Sequence, residues 1–121
     1  MRAIDIGVAG EFVAAEYLEK KGYKIKARNF LCREGEIDIV AEEDGCTVFV
    51  EVKTRKNVKF GRPAEFVDKR KYKKLKKAAM HYIYNPDADM RFDVIEILYE
   101  LNYGEFVVKE INHIENAFWD M

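Results

Sequence analysis

The sequence predicts an α/β protein, with one mixed sheet of four or five strands and two helices packed on it. Two patterns carry this expectation. Residues 3–21 place Ile4, Val8, Ala15 and Leu18 at the 3.6-residue period of a helix with one buried stripe. Residues 35–40 and 48–55 instead alternate β-branched or aromatic residues with charged ones, the period-two pattern of strands. At 121 residues the chain suits a single domain and is too short for two.

The first helix has a plausible end at Gly22, just after Lys20 and Lys21 in its last turn. Gly7, Gly10 and Ala14 form a strip of small residues that lets it approach a sheet closely. Residues 23–31 read as a strand, residues 32–34 as a turn, and residues 42–45 as a second turn ending in Asp44-Gly45. A polar loop over 56–62 precedes Pro63, and Asp68 is the expected N-cap of a second helix running to 84. Its apolar face is Tyr72, Leu75, Ala79 and Tyr82. Residues 85–89, with Pro86, end that helix. Two more strands follow over 91–99 and 103–111, with a turn over 101–104 and a short helix carrying Phe118 and Trp119 over 112–121.

An apolar share of 49 % and an aromatic share of 13 % mark a folded chain rather than a disordered one. No apolar run spans a bilayer and the N-terminus lacks a signal-peptide pattern, so the expected location is cytoplasmic, with no membrane partner. Cys32 and Cys46 have neither zinc nor redox spacing and read as reduced structural thiols. His81 and His113 are isolated and read as structural or surface groups. The net charge is −1, but it is polarised: residues 53–77 hold 12 basic and 2 acidic residues, a local +10 against −11 elsewhere. Seven of the nine residues at 69–77 are basic, with no acid to pair with, which suits a nucleic-acid face.

The chemistry is concentrated in residues 35–55. Residues two apart on a strand share a face, so Glu51 and Lys53 point the same way, with Asp38 available from the neighbouring strand. The other face, Val48, Val50 and Val52, is wholly apolar. Acids and a lysine on adjacent strands suit metal-assisted attack on a phosphodiester. Magnesium takes one or two carboxylates, keeps waters, and draws its other ligands from phosphate. A lysine beside it can orient the attacking water or offset transition-state charge. The bland alternative is a solvated charged face. Glu11 falls on the stripe of the first helix, where a carboxylate is costly to bury unpartnered. It either snorkels at the stripe's edge or reaches the Asp38–Glu51 site from above.

The order helix, three strands, helix, strands, with Asp38 and Glu51-x-Lys53 on the second and third strands, resembles the PD-(D/E)XK or restriction-endonuclease-like superfamily. The spacing of Gly7, Gly10-Glu11, Ala14 and Tyr17-Leu18 more closely resembles the YraN-like family of small bacterial proteins. So do Gly22-Tyr23, Asn29-Phe30, Gly35-Glu36-Ile37-Asp38 and the run from Val48 to Arg55. Phe60-Gly61, Arg91-Phe92-Asp93 and Ala117-Phe118 continue the pattern, so the resemblance covers nearly the whole chain.

The resemblance implies a restriction-endonuclease-like α-β-β-β-α-β core. It makes Asp38 and Glu51 metal ligands for Mg2+ or Mn2+, Lys53 the catalytic lysine and Glu11 an auxiliary acid. Likeness to archaeal Holliday-junction resolvases adds a homodimer, for which Tyr99, Tyr103 and Trp119 are candidate contacts. Leu31 stands where many members are expected to carry an arginine, which puts one phosphate contact in doubt.

The leading expectation is a metal-dependent nuclease acting on branched or single-stranded DNA. Arg55, Lys69, Arg70, Lys73, Lys74 and Lys77 would form its nucleic-acid contacts. A nucleic-acid-binding module of the same fold without cleavage is the alternative, and a protein-interaction domain the third.

Overall fold

The computed structural model describes residues 2–57, 69–85 and 87–117. Helix α1 (Ala3–Lys20) leads into β1 (Lys24–Cys32), β2 (Gly35–Glu43) and β3 (Cys46–Lys56); α2 (Lys69–Tyr82), β4 (Met90–Asn102) and β5 (Glu105–Ile114) follow. The strands form one open sheet in the order β1-β2-β3-β4-β5. Among the described residues only β3 and β4 run parallel, and α2 lies between them in the chain, the kind of connection parallel strands require. The expected mixed sheet with two helices is thus observed.

Turn chemistry explains the local stops. Asp44 (φ 48) and Gly45 (φ 79) both adopt positive φ, as does the Tyr103-Gly104 pair, which is what two-residue hairpins with right-handed strand twist need. Past α1, the Gly22 N–H donates to the Glu19 carbonyl and the Tyr23 N–H to the Leu18 carbonyl, so Gly22 (φ 95) closes the helix as a Schellman motif.

Both faces of the sheet are covered. Val48 and Val50, with Ile39, Ala41, Ile95 and Ile97, pack against Ala14, Ala15 and Leu18 of α1. Phe49, with Ile37, Val40 and Phe92, packs against Ala78 and Ala79 of α2. The division into one apolar and one charged face therefore fails at Phe49: that face becomes charged only from Glu51 onward.

The stripe expected on α1 is also displaced. Ile4 and Val8 are 68 % and 60 % exposed, while Gly10, Ala14, Ala15 and Leu18 are buried. The small residues win the sheet contact because they allow the closest approach. A Cβ on Gly10 would stand 2.8 Å from Thr54 Cβ and collide with its hydroxyl, whereas one on Gly7 would meet nothing within 4 Å.

Three further expectations change. Residues 112–114 belong to β5, paired with 94–96, and 115–117 form a turn, so no helix starts at 112. Tyr99 is a core residue stacked on Phe106, with centroids 4.9 Å apart, and is unavailable to a partner. His113 is the structural group expected, though not an isolated one. Its Nε2 lies 2.7 Å from Asp93 Oδ2 and its Nδ1 3.1 Å from the Tyr17 hydroxyl. The fully buried Asp93 also accepts from Arg91 Nε at 3.0 Å and the Asn116 N–H at 2.9 Å. This network fastens the end of α1 to β4 and β5. Phe60-Gly61, Pro63, the Asp68 cap, Pro86, Phe118 and Trp119 lie outside the described residues.

Candidate active site

β2 and β3 pair only from the hairpin, Glu43 with Cys46, to Ile39 with Val50. Beyond that point β2 stays with β1, where Ile37 meets Phe30 and Glu36 meets Leu31, while β3 stays with β4 as far as Lys56 and Tyr99. The sheet therefore opens between residues 35–38 and 51–56. A backbone N–H left without a strand partner needs another acceptor. Asp38 supplies it: its Oδ2 accepts the Val52 N–H at 2.8 Å. The kink shows in the alternation as well, since Ile37 belongs to the α2 cluster and Ile39 to the α1 cluster.

On β1, opposite this kink, Asn29 has φ 53, a left-handed conformation that asparagine tolerates better than most residues. With its amide nitrogen turned toward the acids, Asn29 donates to Glu11 Oε1 at 2.9 Å and Glu36 Oε1 at 2.8 Å. Glu11, Glu36 and Asp38 each bring a carboxylate oxygen within 4.8 Å of the others. Gly10 sets this distance, because its missing side chain lets α1 carry Glu11 down to the sheet.

Crowded acids resist ionisation. Burial raises the Asp38 pKa from 3.8 to about 6; the Val52 N–H opposes the rise, and the charges of Glu11, Glu51 and Glu36 add to it. Burial and the Glu36 charge also raise Glu11, against the pull of Arg28.

Glu51 has different company. Lys53 Nζ lies 3.2 Å from its Oε1, and Lys71 Nζ, from the first turn of α2, contacts the same oxygen. Its other oxygen, Oε2, is buried with no hydrogen-bond partner among the described residues. Burial and the adjoining Lys71 lower the Lys53 pKa. Burial also pulls on Lys71, but its bonds to Glu51 outweigh this and raise its pKa. Asp38 thus stands between two groups, Glu11 with Glu36 and Glu51 with the lysines, rather than in a simple pair with Glu51.

Lys69, Arg70, Lys73, Lys74 and Lys77 are exposed on α2. Lys74 borders a groove whose walls include Glu36, Glu51 and Lys71. Arg55 turns inward, 3.9 Å from the fully buried Glu96, which also accepts from Asn112 Nδ2 at 2.9 Å. Arg55 is 29 % exposed.

Three residues of this constellation escaped sequence reasoning. Asn29 had a signal, an asparagine inside a strand-like run. Glu36, two residues before Asp38, shares its face by strict alternation, but nothing in the spacing marked it as part of the site. Lys71 was hidden among equivalent lysines.

Glu11, Glu36 and Asp38 offer oxygen donors only, a set that fits a hard divalent cation such as Mg2+ or Mn2+.

Comparison with known proteins gives a family. The model of the uncharacterised protein family UPF0102 matches residues 10–97. The chain is 47 % identical over 116 residues to a UPF0102 protein of Caldanaerobacter subterraneus subsp. tengcongensis, covering 93 % of each chain. It is 49 % identical over 117 residues to one of Syntrophomonas wolfei, covering 94 % of this chain and 97 % of the relative. A third, from Caldicellulosiruptor bescii, is 47 % identical over 122 residues, covering 98 % of this chain and all of the relative.

Proposed function

The chain belongs to the UPF0102 family, the YraN-like group its motifs resemble, and on that premise we propose that it is a metal-dependent nuclease of the PD-(D/E)XK type. The observation that supports the reading is the opening between β2 and β3: there Asp38 clusters with Glu11 and Glu36, and it also feels the charge of Glu51, which Lys53 contacts. A buried Glu51 Oε2 that has no hydrogen-bond partner among the described residues supports a cation there.

In this reading Asp38 and Glu51 hold Mg2+ or Mn2+, with Glu11 and Glu36 at the margin. When bound, such an ion lowers the pKa of a coordinated water and offsets charge on the phosphate. Lys53 holds the attacking water or the phosphate oxygens in place through its ammonium donors. Water attack forms a new phosphorus–oxygen bond as the bridging ester oxygen departs with its electron pair and takes up a proton. The exposed basic residues of α2, Lys69, Arg70, Lys73, Lys74 and Lys77, hold the DNA backbone, with branched or single-stranded DNA the favoured substrate. The implied homodimer has a different candidate surface, the exposed face of Ile4, Val8 and Phe12 on α1. Light scattering that returns a monomer mass removes it.

A second reading, binding without cleavage, has one observation in its favour: Lys53 and Lys71 already neutralise Glu51. A cleavage panel separates the two. Linear, flapped, four-way and single-stranded DNA are each incubated with magnesium and with manganese. Metal-dependent cleavage that Lys53→Ala slows sharply supports the nuclease. Binding to these DNAs with no cleavage of any of them moves the protein to the second reading.

A further inference from the structure

Glu51 meets two ammonium groups through one oxygen. Lys53 approaches from two residues along β3 and Lys71 from α2, both onto Oε1. The carboxylate is only 12 % exposed, so neither contact is a loose surface pair. Like charges at this separation repel, and a single carboxylate fully balances only one of them. Oε2 of the same group nevertheless stays buried without a donor. The second ammonium therefore crowds one oxygen of Glu51, while the other, buried, meets no donor among the described residues.

We propose that Lys71 is a positioning residue of the site: it is the resident counter-ion of Glu51, yields when a divalent cation binds there, and then turns to the phosphate of the nucleic acid. This rests on the reading of Glu51 as a metal ligand. A lysine suits the exchange, because its charge is compact and its four-carbon stem is flexible. Its side chain is 38 % exposed and borders the groove shared by Glu36, Glu51 and Lys74, so the released ammonium has a short path to a bound strand. A divalent ion at Glu51 repels both lysines, and a phosphate bound in the groove is an anion that Lys71 can turn to. Lys53 is held on β3; Lys71 belongs to the basic helix that faces the nucleic acid. Metal and nucleic acid then favour each other's binding through α2, and by linkage the effect is reciprocal.

The test is manganese affinity, read from the free-ion electron paramagnetic resonance signal, for the wild type, Lys71→Met and Lys71→Arg. Each is measured with and without a duplex of DNA. Lys71→Gln, which keeps a donor without the charge, replaces the methionine variant if circular dichroism shows that one unfolded. Without DNA, removing the competing ammonium should tighten manganese binding roughly tenfold, and Lys71→Arg should stay near the wild type. DNA should tighten manganese binding in the wild type and do so far less in Lys71→Met. Loss of a merely structural contact would not raise metal affinity. Equal or weaker binding by Lys71→Met, with the wild type still binding manganese, overturns the role of Lys71 and leaves the metal site standing. No manganese binding by any form, with or without DNA, overturns both.

Discussion

Asp38 is held in an unfavourable charge state at neutral pH. Its folded pKa of about 6 lies above the ordinary 3.8, so the folded form favours the proton more than the unfolded chain does. The stability this residue contributes is complete below about pH 4 and is lost as pH rises through about 6. Asp38→Asn keeps an acceptor for the Val52 N–H and removes the charge. In the presence of a chelator it should be more stable than the wild type above pH 6, on the order of 3 kcal/mol, with the difference vanishing near pH 4. Urea unfolding across that range reads it, and a wild type that gains stability relative to the variant as pH rises would contradict the account. The acids and Lys53 were legible in the sequence because two-residue spacing and charge are local properties. The grouping was not. Glu11 joins Glu36 and Asp38 because α1 lies close on the sheet at Gly10, and the left-handed Asn29 that bridges Glu11 and Glu36 is set by tertiary packing.

α1 owes its position to one glycine, and Gly7, a turn earlier, supplies an internal control. Gly10→Ala pushes a methyl into Thr54, an overpacking that costs about 1–3 kcal/mol and outweighs the ~1 kcal/mol gained from replacing a helical glycine. Gly7→Ala meets open space and should simply gain about 0.5–1 kcal/mol. Thermal unfolding of the two variants should therefore move in opposite directions; parallel shifts would show that α1 does not rest on β3 through Gly10. Helices and strands were readable as elements, since period and turn residues such as Asp44-Gly45 and Gly22 are written locally. The buried face of α1 was legible at Gly10, Ala14, Ala15 and Leu18 but not in its first turns. Hydrophobicity favoured Ile4 and Val8, but close approach favours small residues, and hydropathy carries no measure of distance. The tail was misread for a related reason: residues 112–114 are strand because β4 offers them partners, with His113 drawn in by Asp93 and Tyr17.

Across the whole molecule, charge and site lie in register, because α2 presents its exposed lysines beside the groove that contains Glu51. Reversing Lys73, Lys74 and Lys77 to glutamate should weaken DNA binding irrespective of sequence. It should also flatten the salt dependence by ~0.9 in log K against log salt for each phosphate that is no longer neutralised. Unchanged affinity and slope would move the interface off α2. The polarity of the chain was visible in the sequence as a run; its alignment with the acids required the register of β3, α2 and β4. The central claim is that the opening between β2 and β3 is a divalent-metal site. Its most direct test is calorimetric titration of manganese into the wild type and Asp38→Asn, with DNA present to supply phosphate ligands. The account predicts saturable binding by the wild type that Asp38→Asn abolishes while remaining folded. Absence of binding by the wild type, or undiminished binding by Asp38→Asn, would contradict it.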